Sequence, residues 1–356
     1  MTEQLIRIFF LATAAFIIAV VCTPLLTHIL YRYKLGKQIR DATEAPIYAK
    51  LHASKSGTPT MGGILIWGTL LLLICGCAVI AMLWPQFAAI DFLSRSETLL
   101  PLGALVASAL VGLVDDVFNV QKRGSHGGGL RMRHRLLIYT LIAVVGAWWF
   151  YYKLQWDVLH VPFIGNFSIG WWYIPVFILV IVATSFAVNE TDGLDGLAGG
   201  GLLAAYAAYG VIAFVLGRYD LAVFCAVIIG ALLAFLWFNI FPARFFMGDT
   251  GAMSLGVTLG IIALLTNYAL VLPLIGLVFV METASALVQM ISKRFFKRKV
   301  LISAPLHHHL EAIGWPEPKI VMRFWIIAGV MAGLGIMFVL LDRSVLLGLG
   351  NVLQSG

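Results

Sequence analysis

Long apolar segments are the feature that most restricts how this chain can fold. They recur along the whole sequence, and at about 20 residues each is long enough to cross the ~30 Å hydrocarbon core of a bilayer as a helix. The alternating ~10-residue segments that are typical of a membrane β-barrel are absent. Only 12% of the 356 residues are charged, against about 25% in soluble proteins. The sequence therefore predicts an all-α integral membrane protein.

Ten membrane spans can be assigned, and we expect them to form a single polytopic domain over residues 1–356. The first apolar run is too long for the core of a signal peptide and is interpreted as an uncleaved span. In the eighth span, Gly256 and Gly260 form a GxxxG pattern, which predicts close packing of two helices. The expected spans are residues 5–31, 62–84, 99–118, 136–152, 172–188, 196–217, 220–239, 251–267, 270–292 and 321–347.

Positive charges decide which face of this protein meets the cytoplasm. Of the 24 lysines and arginines, 19 fall on one face of the ten-span arrangement. Lysine and arginine accumulate in cytoplasmic loops, so we expect both termini to be periplasmic. Membrane topology accounts for the net charge of +7, and we expect no nucleic-acid partner. The expected cytoplasmic loops are about 32–61, 119–135, 189–195, 240–250 and 293–320, and a periplasmic hairpin is expected at about 153–171.

The cytoplasmic loops carry most of the unusual polar residues, beginning with five aspartates. Asp115 and Asp116 are adjacent at a helix end, where two ionised carboxylates are stable together only if they share a cation or hold a proton. Asp192 and Asp195 would share one face of a helical turn, and Asp249 stands at an expected helix N-cap. A single aspartate of this kind is most often a cap or a solvated charge. Five on one face of so apolar a chain predict a site with hard oxygen ligands, which suits Mg²⁺.

The run His307–His309 lies in the loop before the last span, after a proline. Consecutive residues cannot occupy one helix face, so we expect a presented loop or helix start. The neighbouring groups are carboxylates and no cysteine is near, so a zinc centre is not favoured. Contacts from the histidines to phosphate groups fit better. Lys55 could contribute a positive charge to the same anion, and Phe246 could stack on a planar base, although packing is the commoner role for such a residue.

These features together predict chemistry on a nucleotide or a diphosphate at the cytoplasmic membrane surface. Two other classes of protein stay open at this point. A transporter or channel would place its acidic residues near the middle of the bilayer on broken helices, whereas these lie at predicted helix ends. A structural scaffold is compatible with the spans, but it leaves the five polar loops unexplained.

Five motifs, in the order of the chain, resemble those of one known family. They are SGTPTMGG (56–63), LVDD (113–116), AVNETDGLDGLAGG (187–200), FMGDTGAMSLG (246–256) and SAPLHHHLEAIGWPE (303–317). Together they are similar to the phospho-N-acetylmuramoyl-pentapeptide transferases, also called translocase I. This is a branch of the polyprenyl-phosphate N-acetylhexosamine-1-phosphate transferases. The resemblance covers about residues 30 to 325, and the uninterrupted run of three histidines is specific to this branch.

The resemblance implies transfer of phospho-N-acetylmuramoyl-pentapeptide from UDP-MurNAc-pentapeptide to undecaprenyl phosphate, giving lipid I and UMP. It also implies a multi-pass enzyme of the bacterial inner membrane that requires Mg²⁺, contacts membrane lipid, forms a homodimer and has a split ninth span. The alternative is a sister enzyme that transfers GlcNAc-1-phosphate from UDP-GlcNAc.

The family's functional residues carry over to matching positions in this chain. Asp115 and Asp116 would be the catalytic pair, with Asp115 as the base on the lipid phosphate. Asp249 would be the main Mg²⁺ ligand, assisted by Asp116, and Phe246 would stack on uracil. The other residues implied in catalysis or substrate binding are Lys55, Thr60, Asn189, Asp192, Gly193, Leu194, Asp195, Asn239, His307, His308 and His309.

Three parts of the sequence depart from the usual pattern of the family. The segment before TDGLDG ends in Asn189-Glu190, and Glu190 adds a negative charge beside Asp192. Ser303 replaces the usual methionine before Ala-Pro-Leu-His. The loop after Asp116 contains GSHGGG and arginines, including Arg131 and Arg133, where a lysine is common. These departures leave every core aspartate and histidine in place.

Overall fold

The computed structural model describes residues 1–36, 52, 55–94, 97–122 and 129–355. Most of the first polar loop and the GSHGGG segment before residue 129 lie outside the described residues. Within the described chain, nine helices are long and apolar enough to cross a membrane, and a bent helix pair would make ten. The prediction of about ten spans is therefore confirmed, and the chain is a multi-pass membrane protein.

The helices begin and end close to the expected positions. Their bounds are α1 Thr2–Arg32, α2 Ile64–Leu83, α3 Leu99–Val120, α4 Met132–Trp148, α5 Tyr173–Thr191, α6 Leu197–Val215, α7 Tyr219–Asn239, α8 Gly248–Leu265, α9 Leu272–Ile275, α10 Leu277–Ile291, α11 Leu306–Ala312 and α12 Glu317–Ser355. The last helix is longer than its expected span, and its first turn contains Glu317.

The centre of the molecule is α8, which is buried over almost its entire length and packs against α3 and α5. Its two GxxxG glycines lie against α5. A Cβ atom on Gly256 would stand 2.8 Å from the Cα of Ser185, and one on Gly260 would stand 2.9 Å from the Cδ1 of Ile181. The prediction of close helix packing at this pattern is confirmed, because a Cβ atom at Gly256 would collide with the backbone of α5 and one at Gly260 would displace the end of the Ile181 side chain.

The first turn of α8 is held between α3 and the start of α2. Gly112 of α3 lies directly against the backbone of Asp249 and Thr250, and Gly63 lies against Gly251. Gly248 has a φ of +74°, a left-handed conformation that glycine adopts without steric cost. A side chain there would collide with the carboxylate of Asp116. Small residues thus fix where α8 begins, and with it the position of Asp249.

We expect Gly112→Ala to lower the stability of the protein, because the added methyl would lie 2.6 Å from the carbonyl carbon of Asp249. Overpacking of this kind costs about 1–3 kcal/mol. Thermal unfolding in detergent measures the effect. Gly103→Ala on the same helix is the matched control, since nothing lies within 4 Å of its added Cβ atom. An unfolding temperature that falls equally in both variants would contradict this account of the packing.

The ninth span is broken, as the family resemblance implies. The segments Ala269–Ile275 and Leu277–Phe296 meet at an angle of 82° around Gly276. The second segment ends in a π-helical turn, Ser292–Phe296, where Phe295 and Phe296 are exposed beside several cations. The span expected at 270–292 is therefore a short helix followed, after the break at Gly276, by a longer one.

The hairpin expected at about 153–171 is also present. Strands β1 (Val158–Val161) and β2 (Gly165–Ser168) pair antiparallel. His160 of β1 is hydrogen-bonded to Asp342 of α12 at 2.7 Å. Near the other terminus, Arg7 of α1 pairs with Asp220 at the start of α7 at 2.9 Å.

Candidate active site

Arg135, at the start of α4, joins two of the predicted aspartates. Its Nε lies 2.8 Å from Oδ2 of Asp115, and its Nη2 lies 2.9 Å from Oδ2 of Asp249. Its Nη1 donates to Oδ1 of Asn189 at 3.0 Å, and Nδ2 of Asn189 donates to Oδ1 of Asp249 at 2.6 Å. The ends of α3, α4 and α5 and the start of α8 therefore meet at one polar cluster, which we call the arginine cluster (Asp115, Arg135, Asn189 and Asp249).

Asp116 belongs to a different set of contacts, although it is adjacent to Asp115. Its carboxylate accepts hydrogen bonds from the backbone N–H groups of Asp249 at 3.1 Å and Thr250 at 3.0 Å. It also accepts one from the hydroxyl of Thr60 at 3.2 Å. A carboxylate at this place satisfies free N–H groups of the first turn and interacts favourably with the helix dipole. Asp116 therefore caps α8 from a neighbouring helix and positions Asp249.

The prediction that Asp249 is an N-cap was wrong. The helix begins at Gly248, so Asp249 lies in its first turn and its side chain is 15% exposed. Asp116 already supplies the capping contact, and the Asp249 carboxylate contacts Arg135 and Asn189 of the arginine cluster. The expectation that Asp192 and Asp195 share a helical turn was also wrong, because α5 ends at Thr191 and α6 begins only at Leu197.

Lys55 organises a second group of charges beside the arginine cluster. Its Nζ lies 2.6 Å from Oδ1 of Asp195 and 2.5 Å from Oε1 of Glu317. The ring centroid of Phe246 lies 5.9 Å from the same nitrogen. Because the Phe246 side chain is partly exposed, it offers a flat apolar surface next to a cation. We call Lys55, Asp195, Phe246 and Glu317 the lysine cluster.

Hydrogen bonds join the first polar loop, the turn between α5 and α6 and the loop between α7 and α8. Phe246 N donates to Pro59 O, and Gly62 N donates to Phe246 O, each at 2.8 Å. Asn239 closes the loop between α7 and α8, since its Nδ2 donates to Phe245 O at 2.8 Å while its Oδ1 accepts from Gly196 N at 2.9 Å. The predicted loops therefore converge at one end of the helix bundle.

The three histidines lie in the first turn of α11, and they do not share one environment. His307 is fully buried, and its Nδ1 is hydrogen-bonded to Oε2 of Glu282 at 2.8 Å. Its other ring nitrogen faces Gly193, where any larger residue would collide with the imidazole. His309 is partly exposed, and its Nδ1 accepts from Ile302 N at 3.3 Å. The expected helix start is confirmed.

His308 contacts a histidine from the first polar loop through a shared glutamate. Oε2 of Glu311 lies 2.7 Å from Nδ1 of His308 and 3.2 Å from Nε2 of His52. Burial, together with the neighbouring His307, lowers the pKa of His308 to about 3. Burial by itself would raise the pKa of Glu311, but hydrogen bonds from His308 and His52 lower it to about 2. Near neutral pH this group therefore contains a neutral His308 and an ionised Glu311.

Most of the predicted site residues come together, and a few take other roles. Leu194 is buried in an apolar cluster with Ile320 and Val321, so its side chain faces the core. Asp192 and Gly193 are partly exposed in the turn between α5 and α6. The remaining predicted residues belong to the arginine cluster, the lysine cluster, the caps around them or α11.

Five further residues of the site were missed by the sequence analysis. They are His52, Arg135, Glu282, Glu311 and Glu317. Arg135 is one of three arginines at alternating positions with Arg131 and Arg133, and only the structure separates it from the two exposed ones. The two glutamates of the SAPLHHHLEAIGWPE motif were within the recognised segment, so the motif itself was the available signal for them.

The clusters provide the elements that a transfer between two anions requires. Positively charged side chains stand beside carboxylates that are able to bind a hard cation, and a partly exposed aromatic ring adjoins them. The carboxylate and amide oxygens of Asp115, Asn189 and Asp249 are ligands that Mg²⁺ prefers. The carboxylate of Asp116 differs from these in its partners, which are the backbone N–H groups at the start of α8 and the hydroxyl of Thr60.

Comparisons with known proteins identify the family of this chain. Residues 98–267 match the model of Glycosyl transferase family 4, and residues 55–66 match signature 1 of the phospho-N-acetylmuramoyl-pentapeptide-transferases. A phospho-N-acetylmuramoyl-pentapeptide-transferase from Chloroflexus aggregans (strain MD-66 / DSM 9485) is 38% identical over 97% of this chain and 92% of its own length.

Two further relatives with the same name give a similar result. The protein from Geobacillus sp. (strain WCH70) is 39% identical over 90% of this chain and 94% of its own length. The one from Bacillus subtilis (strain 168) is 37% identical over 94% of this chain and 98% of its own length. The matched regions include both clusters and α11, so the chain belongs to the phospho-N-acetylmuramoyl-pentapeptide-transferase family.

Proposed function

We propose that this chain transfers phospho-N-acetylmuramoyl-pentapeptide from UDP-MurNAc-pentapeptide to undecaprenyl phosphate, with release of UMP. Relatives named for this transferase activity match it over at least nine-tenths of its length. The observation that carries the proposal is the convergence of Asp115, Arg135, Asn189 and Asp249 at the ends of four helices. A site at helix ends can be reached both by a water-soluble nucleotide and by the headgroup of a lipid.

Asp249 is the main residue that would hold Mg²⁺ in this site, with Asp116 as the second ligand that the sequence predicts. The metal would neutralise charge on the diphosphate and stabilise the departing UMP. Arg135 lies between the carboxylates of Asp115 and Asp249 and keeps them oriented when substrate is absent. Asp116, predicted as the second metal ligand, also fixes the backbone of Asp249 through the capping contacts.

The lysine cluster is the proposed place for the nucleotide. The partly exposed ring of Phe246 would stack on uracil, and the Lys55 ammonium would face the phosphates. Asp195 and Glu317 currently hold that ammonium at 2.6 and 2.5 Å, so substrate phosphate would compete with them for it. His307 and Gly193 form one wall of the same region, where the imidazole packs directly on the glycine.

Asp115 is the proposed base on the lipid phosphate. A positioned base contributes typically ~10²–10⁴-fold to a rate, but a phosphate nucleophile is largely ionised near neutral pH and needs little help. Positioning and charge stabilisation supply most of the catalysis in phosphoryl transfer. We therefore assign the larger share of the rate to Asp249 and the groups that orient it.

The same proposal includes the cellular setting. The site would face the cytoplasm, where the UDP-linked donor is made, and both termini would be periplasmic in the bacterial inner membrane. The ion pair of Arg7 with Asp220 and the hydrogen bond of His160 with Asp342 support both termini lying at the end of the bundle away from the site. The distribution of lysine and arginine favours the cytoplasm for the face that carries the site. A homodimer remains a prediction from the family resemblance.

The proposed function is tested by UMP release from purified enzyme in detergent. We expect release with UDP-MurNAc-pentapeptide plus undecaprenyl phosphate, loss of release when Mg²⁺ is removed by chelation, and recovery when it is restored. UDP-GlcNAc in place of the first donor is the control for the sister activity. Turnover with UDP-GlcNAc alone would overturn the proposed donor, and full turnover in chelator would overturn the metal requirement.

A further inference from the structure

His52, His308 and Glu311 converge at a point to which the transfer steps proposed above assign no role, although the family resemblance implies a substrate contact or catalytic role for His308. His308 and Glu311 lie three residues apart on α11, while His52 comes from the first polar loop. One ligand atom from each residue lies within 4.8 Å of the other two. We propose that these three side chains form a second metal site, which takes a borderline divalent cation such as Zn²⁺.

The donor set is what selects this class of metal. Two imidazole nitrogens and one carboxylate oxygen are typical ligands of zinc, and three protein ligands leave a fourth position open for water or an anion. Mg²⁺ prefers oxygen ligands throughout. The arginine cluster, with its carboxylates and amide oxygen, is the hard site of the molecule, and this group is the softer one.

Two of the three separations between ligand atoms are close to those that zinc requires. A cation about 2 Å from each ligand sets neighbouring ligand atoms roughly 3.3 Å apart in a tetrahedral site. The separation of His52 Nε2 and Glu311 Oε2 is 3.2 Å, which meets this value. The separation of His308 Nδ1 and Glu311 Oε2 is 2.7 Å, so the His308 side chain would move outward by less than an ångström.

The ligands are also held in place and shielded from water. The side chains of His52, His308 and Glu311 are only 3%, 15% and 7% exposed. The imidazole of His307 lies beside that of His308, with ring centroids 4.1 Å apart, and is itself anchored to Glu282. A site whose ligands are already oriented pays little conformational entropy when the metal binds.

This geometry differs from the expectation drawn from the sequence. A zinc centre at the run of three histidines was not favoured from the sequence, because the neighbouring groups are carboxylates and no cysteine is near. In the structure only His308 of that run takes part, and the second imidazole comes from a residue more than 250 positions away. Occupation of the site would join the first polar loop to α11 and would fix the backbone that leads to Lys55, whose N–H donates to His52 O at 3.0 Å.

Zinc binding to tag-free, chelator-treated enzyme in detergent tests the proposal. We expect one saturable Zn²⁺ per chain by elemental analysis, a raised unfolding temperature, and a tetrahedral absorption spectrum when Co²⁺ replaces Zn²⁺. His52→Ala and Glu311→Gln should each weaken binding by about 10²-fold or more, since even the loss of a residue that only orients a ligand costs ~10–100-fold. Unfolding measurements without metal show whether each variant is folded.

Two matched variants separate this site from its surroundings. His309→Ala removes an adjacent histidine of the same run that points to Ile302, and it should leave Zn²⁺ affinity unchanged. Asp249→Asn should also leave it unchanged, because that residue belongs to the arginine cluster. The inference is overturned if wild-type enzyme binds no stoichiometric Zn²⁺, or if folded His52→Ala binds it as tightly as wild type. Neither result would bear on the proposed transferase activity.

Discussion

Asp249→Asn is expected to lower UMP release by about 10³-fold at saturating Mg²⁺, the scale of loss seen when one preorganised electrostatic contact is removed from an active site. The substitution keeps the size of the side chain but removes the charge that would hold the metal. It also removes the ion pair to Arg135, which is 2.9 Å long. Steady-state UMP release with both substrates saturating measures the effect.

Asp115→Asn provides the direct comparison and should cost less, about 10²-fold, at the lower end of the contribution of a general base. Asp157→Asn is the inert control, because its carboxylate lies beside the β-hairpin and accepts only the Ser168 hydroxyl among the contacts described. If Asp249→Asn retained near-normal turnover, or lost less than Asp115→Asn, the assignment of Asp249 as the main metal ligand would be wrong.

Arg135→Gln is expected to reduce both activity and stability. It would leave two carboxylates close together without their shared cation, and the Asp115 side chain is fully buried. Loss of one partner from a buried ion pair costs about 3–5 kcal/mol, and we expect the lower end here because the Arg135 side chain is 20% exposed. Thermal unfolding in detergent measures the stability, and UMP release measures the activity.

Arg135→Gln also tests where Mg²⁺ binds. With Arg135 absent, Mg²⁺ is the remaining positive charge that can separate Asp115 from Asp249. The unfolding temperature of Arg135→Gln should therefore rise with Mg²⁺ more steeply than that of wild type. Arg133→Gln removes an exposed arginine from the same helix turn and should change stability by no more than about 0.5 kcal/mol. Equal Mg²⁺ dependence in all three proteins would place the metal elsewhere.

Much of the fold was readable from local sequence, because membrane spans are encoded by composition over a short window. Each span needs only enough consecutive apolar residues to satisfy its backbone within lipid, and the expected bounds differ little from the observed helices. The break in the ninth span was different. Gly276 stands inside a run that is apolar enough to be continuous, and hydropathy alone gives no angle.

The residues of the site were recognised through motifs, but their roles were not. Asp115 and Asp116 are adjacent and identical in type, yet one faces Arg135 and the other caps α8. Their side chains leave the helix about 100° apart, so each meets a different neighbour. Which neighbour that is depends on the packing of α3 against α8 at Gly112, a contact between residues more than 130 positions apart.

The sequence by itself determined that this chain spans a membrane repeatedly and that its polar loops belong to one family of phosphoglycosyl transferases. Both conclusions rest on local patterns, the apolar run and the short motif. Only the tertiary structure decided that Arg135 joins Asp115 to Asp249 and that His308 meets His52 instead of acting with the other two histidines. Those contacts arise from the convergence of distant helix ends and loops, and no pattern within a single segment of chain encodes such a meeting.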